Sequence, residues 1–178
     1  MSINNINLNM AVNMGAFELY GIPIPTDVDL QTLDDIRKHL LLISKDILIA
    51  YEEFISKRVP KIVDLAEQAI VTSLSDNPAI IKKMIDDANI IAASVGRLRT
   101  DAQAFLTIFE TMYSLPKDRR YNDIDRKQYA KTRTVTQQSV LSKLENLESR
   151  LDKRISIGQS ALKHETAAIS RGMGNAGS

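Results

Sequence analysis

Cysteine and tryptophan are absent from this chain of 178 residues, and glycine and proline are scarce, at 7 and 5. Without cysteine there is no disulfide scaffold, no iron–sulfur cluster, no thiolate zinc site and no cysteine nucleophile. The lack is compatible with a reducing compartment. Aromatic residues make up only 5% of the chain, so most of its 44% hydrophobic content is Ile, Leu, Val and Ala. That composition fills a core of modest size and suits one domain with an extension. No run approaches the ~18 apolar residues of a membrane span. Residues 1–17 carry no charged side chain, so the basic leader of a signal peptide is not expected. The phosphate-cradling patterns GxxxxGKS/T and GxGxxG do not occur.

What the chain does have is helical periodicity. Residues 1–28 lack it, and the Gly21-Ile22-Pro23-Ile24-Pro25 run imposes extended backbone. They read as an extended arm, either a loose terminus or a strap for a neighbouring subunit, since Phe17, Leu19, Tyr20, Ile22 and Ile24 are very apolar for a solvated tail. From residue 29, Leu33, Ile36, Leu40, Ile43, Ile47 and Phe54 recur at steps of three and four, with Ala50 in the gap, which predicts a helix over about 29–58. Pro60 interrupts it and can open a second helix over 60–74. Asn77-Pro78 is the clearest local signal, an N-cap followed by a first-turn proline.

A long helix over 78–114 should follow. Its seam runs through Ile81, Met84, Ala88, Ile91, Val95, Leu98, Ala102, Phe105, Phe109 and Met112 at heptad-like spacing, and Ile80, Ile85, Ile90 and Ile108 are expected to widen the apolar face. Residues 115–123 break the pattern as a loop. A last helix over 124–170 carries a seam at Val140, Leu144, Leu147, Leu151, Ile155, Leu162 and Ile169. Gly158 falls on that seam and marks close packing or a bend. The expected fold is all-α: a long antiparallel, coiled-coil-like hairpin with shorter packed helices and an extended N-terminal arm. One helical domain spans 29–171, and 172–178 form a flexible tail. Seams this long predict self-association into a homo-oligomer.

Catalytic constellations are scarce. His39 and His164 have Ile36 and Ala161 three residues before them, so the Glu-x-x-His pairs of helical di-iron sites are missing, and so is HExxH. The pairs Asp34-Asp35, Glu52-Glu53 and Asp86-Asp87 are adjacent residues, about 100° apart on a helix, which suits solvated faces and helix ends better than acid–base work. A non-enzymatic protein with no metal or cofactor is expected.

Charge is more informative. Residues 1–114 hold 10 Lys/Arg and 15 Asp/Glu, and residues 115–178 hold 13 and 7, so the net charge of +1 cancels −5 against +6. Within 117–133 lie Lys117, Arg119, Arg120, Arg126, Lys127, Lys131 and Arg133, interleaved with Tyr121 and Tyr129. Cations of this density neutralise phosphates, and tyrosines stack on unpaired bases. The same residues could instead pair with the acidic half of another copy, or lie in solvent. Arg97 and Arg99, flanking the seam residue Leu98, form a weaker basic site.

The C-terminal half resembles the bacteriophage recombination-mediator family of UvsY type, through Met112-Tyr113-Ser114, the loop 115–125, Lys131 to Val135, and Leu151-Asp152 leading to Ala161-Leu162-Lys163-His164. Phe109-Glu110-Thr111 stands where that family has basic residues. The resemblance implies a small helical protein that forms rings, binds single-stranded DNA and works with recombination or replication proteins in the cytoplasm of a host cell. The alternative from the residues alone is a structural assembly protein, such as a virion, scaffold or appendage subunit. Its arm and charge asymmetry would mediate subunit contacts. A helical component of a secretion system or toxin is a third reading.

Overall fold

In a computed structural model, the chain is described over residues 33–115 and 121–174. The expected arm over 1–28 lies outside the described residues, as do 116–120 within the loop and the last part of the tail. Every regular element among the described residues is a helix, and the chain is all-α.

Helix α1 spans Leu33–Leu42 and carries Asp34 and Asp35 in its first turn, where the helix dipole favours negative charge. Helix α2 spans Ser44–Glu53. Between them Ile43 leaves helical geometry, at φ −96° and ψ 17°. The periodicity runs straight through this point, and neither proline nor glycine marks it. Phe54–Arg58 then form a π-helical turn that leads into α3, Val59–Val71. The expected interruption at Pro60 is therefore a widened turn rather than a gap. Proline removes one backbone donor and crowds the carbonyl four residues earlier, and a π-turn relieves both.

Helix α4 spans Pro78–Tyr113. The Asn77 carboxamide oxygen accepts from the Ala79 N–H at 2.9 Å, so the predicted cap is present. Helix α5 spans Asp123–Arg133, opened by a capping box between Asn122 and Asp125. Helix α6 spans Val135–Gly174. The single helix expected over 124–170 is thus two, divided at Thr134. Thr132, Thr134, Val135 and Thr136 are all β-branched and weak helix formers. The fully buried Thr134 hydroxyl bonds back to the Ala130 carbonyl at 3.1 Å, which competes with the regular ladder.

The described residues divide into two compact units, one of 33–58, 99–115 and 121–142, the other of 59–98 and 143–174. The first is held by an aromatic cluster. Tyr51 meets Phe105 and Phe109 edge-on at 5.3 and 5.1 Å, and Phe54 lies 5.3 Å from Phe105. Such pairs each add about 0.5–1.5 kcal/mol beyond the area they bury. The second unit is built on Ala66, Val95, Leu147 and Leu151. There α4 and α6 run antiparallel, since Val95 packs with Leu147 and Leu151 while Ile85 faces Gly158. A Cβ on Gly158 would lie 2.9 Å from Ile85 Cγ1, so this glycine marks close packing. The seam residues Ile81, Ala88, Val95, Leu98, Ala102, Phe105, Phe109 and Met112 are buried as their spacing predicts, and Met84 and Ile91 are half-buried. Ile80 and Ile90 do not widen the buried face as expected; they are 48% and 67% exposed.

Candidate binding surface on helix α5

Helix α5 hangs on one buried line, Ala130 and Thr134, with the half-buried Arg126 one turn earlier. Arg126 Nε donates to the Leu115 carbonyl at 2.8 Å. Its Nη2 lies 3.7 Å from Asp34 Oδ1 and its Nη1 3.6 Å from Asp123 Oδ1. Arg37 of α1 makes the matching contact, Nε to the Ser114 carbonyl at 2.6 Å. Ser114 and Leu115 directly follow the last turn of α4. The two guanidiniums therefore satisfy carbonyls at a helix C-terminus, where positive charge is favoured. Arg126, a candidate phosphate ligand from sequence, sits in this clamp.

The other candidates separate. Lys117, Arg119 and Arg120 lie outside the described residues. Tyr121 is exposed just ahead of the Asn122 cap. Successive helical residues turn by about 100°, so Tyr129 and Lys131 leave Ala130 in opposite senses. Lys127 and Lys131 share one flank with Ile124; Tyr129 and Arg133 share the other. All five are exposed. The Arg133 guanidinium lies over the Tyr129 ring at 5.4 Å, and its Nη2 donates to the Tyr129 hydroxyl at 3.2 Å. This is a preformed cation–π pair. The lysine flank is plainer: two ammonium groups beside Ile124, 73% exposed, with Val135, 60% exposed, opening α6. The described cations and tyrosines along α5 thus form two surfaces.

Arg97 and Arg99 are exposed beside the buried Leu98. The pairs Glu52-Glu53 and Asp86-Asp87 are exposed too. No cluster of three His, Cys, Asp or Glu residues suited to a metal occurs among the described residues. Sequence reasoning missed Arg37, Tyr51 and a surface on α1 and α2. The Tyr51 hydroxyl is buried, meets no hydrogen-bond partner among the described residues, and has its pKa raised from 10.0 by desolvation. Leu41, Leu42, Leu48 and Ile49 are large and apolar, yet Leu42 is 84% exposed and the others are between 42% and 55% exposed. The spacing of Leu33, Ile36, Leu40, Ile43 and Ile47 predicted a helix here and left these four residues off its seam. No helix among the described residues is long and apolar enough to cross a membrane. Comparison with protein families, curated proteins and solved structures finds no match to this chain.

Proposed function

We propose that the chain is a non-enzymatic helical assembly protein whose copies associate head to tail through two unlike surfaces of the first unit. The carrying observation is the exposed apolar surface of Leu41, Leu42, Leu48 and Ile49. On α2, Glu52 and Glu53 lie four residues beyond Leu48 and Ile49, so the surface is acidic at that end, while the exposed Lys38 and Lys45 make its other end basic. The lysine flank of α5, with Ile124, Lys127 and Lys131, is apolar and basic. Complementary potentials of this kind fix register between copies. A heterologous contact propagates into rings or filaments. Glu53 also pairs with Lys57 at 3.2 Å, but both are exposed and such a pair contributes little. Sedimentation over a concentration series tests the reading. Lys127→Glu with Lys131→Glu should shift the chain to monomer. A size distribution unchanged by the pair, or a monomer already in the parent chain, sinks the proposal.

A second reading, single-stranded nucleic acid, draws on the Tyr129–Arg133 pair, which offers a ring for a base beside a cation for a phosphate. The resemblance to recombination mediators points the same way. Labelled single-stranded DNA titrated across a salt series decides it. Arg133→Ala should lower both affinity and salt slope; absence of binding at low salt removes the reading.

A further inference from the structure

A cavity of about 240 Å³ opens in the second unit, between α3, α4, α6 and the connection that follows α3. Leu65, Ala69, Met84, Ile91 and Ile155 make its walls mainly apolar. An apolar cavity of about 150 Å³ already holds a benzene ring, so this one has room for a longer hydrocarbon. Two arginines of α6 reach toward α3, and they are used differently. Arg150 forms a bidentate pair with Glu67 at 2.7 and 2.9 Å, which matches its charge and its planar fork. Arg154, one turn on, lines the cavity and donates through Nη2 to the Thr72 carbonyl. A carbonyl holds the guanidinium in place but does not neutralise it. Asp87 also lines the cavity, on an exposed position of α4.

The geometry points to a binding site for an apolar monocarboxylate of medium chain length, its alkyl chain between α3 and α4 and its carboxylate on Arg154. Pockets between helices that combine apolar walls with one charged anchor take amphipathic ligands of this kind. A planar guanidinium suits a carboxylate, which it can hold through two parallel hydrogen bonds. The site is independent of the assembly reading, because it uses no residue of the first unit.

Calorimetric titration of the full chain with octanoate, and separately with octanol, tests it. Octanoate should bind saturably at one site per chain. Arg154→Gln should weaken octanoate about tenfold or more and leave octanol within about twofold, since only the carboxylate needs the guanidinium. Arg154→Lys, which keeps charge without the fork, should fall between. Circular dichroism checks that each variant keeps the parent's helicity, and the lysine variant carries the test if the glutamine variant loses it. No saturable octanoate binding to the parent chain overturns the site. Equal octanoate affinity in a folded Arg154 variant overturns the carboxylate assignment.

Discussion

At the scale of single residues, arginines of the first unit divide between helix-end clamps and surface groups. Sequence density placed Arg126 among seven cations available to an anion. Folding brings it to a carbonyl 11 residues earlier in the chain and to Asp34 of α1. No local pattern announces that contact, because both partners are distant in sequence or are backbone. Arg126→Ala should cost about 1–2 kcal/mol in urea unfolding, the range for a hydrogen bond to a charged group reduced by the partial exposure of Asp34. Arg126→Lys should recover only part of it. Tyr51 was invisible for another reason: it lies one position off the seam, and its hydroxyl is polar. Its burial without a partner is a cost, so Tyr51→Phe should be neutral or stabilising by about 1 kcal/mol. The raised pKa adds a test with a definite sign. In the unfolded chain the phenol ionises near 10.0, while the folded chain holds it neutral to higher pH. Stability is therefore full below pH 10 and falls as pH rises above it. The Phe variant should lose that part of the alkaline slope, as read from thermal unfolding between pH 8 and 11.

At the scale of elements, the seams were legible because spacing alone decides which residues share a face. Most of the α4 seam from Ile81 to Phe109, and Leu144 to Ile155 on α6, are buried for that reason. Breaks were less legible. Asn77-Pro78 worked as read, since cap and proline act on the backbone next to them. Pro60 was read as a gap, but a π-turn absorbed it. Thr134 was missed because its effect needs a buried hydroxyl bonded to Ala130, and sequence does not show burial. Gly158 offered two readings, and the contact with Ile85 selects one. Gly158→Ala gains about 1 kcal/mol of helix propensity yet forces a methyl against Ile85. Overpacking of this kind costs about 1–3 kcal/mol, so the substitution should destabilise on balance. The test is a double-mutant cycle. With Ile85→Ala in place, Gly158→Ala should become neutral or stabilising, and additive effects in urea unfolding would show that the crowding is not there.

At the scale of the whole molecule, the overall charge of +1 hides a chain that is acidic through residue 114 and basic after it. Sequence gave that polarity but could not say whether the basic segment forms one surface. Along the described α5 it forms two, because helical geometry sends Tyr129 and Arg133 one way and Lys127 and Lys131 the other. The lysine flank has the apolar neighbours Ile124 and Val135, of the sort that a protein contact buries, and the end of the α2 surface formed by Leu48, Ile49, Glu52 and Glu53 offers it a complement. The charges set register while the apolar residues supply affinity, so the two can be separated by salt. At about 0.5 M salt the screening length falls to a few ångströms, and charge steering fades while apolar contact persists. Association should therefore slow and weaken without vanishing. The sharper experiment reverses both partners. Lys127→Glu with Lys131→Glu disrupts assembly, and so does Glu52→Lys with Glu53→Lys. An equimolar mixture of the two variants should regain hetero-association, because each carries one surface that complements the other. Both variants staying monomeric in the mixture would show that these two surfaces never meet, whatever else holds the copies together.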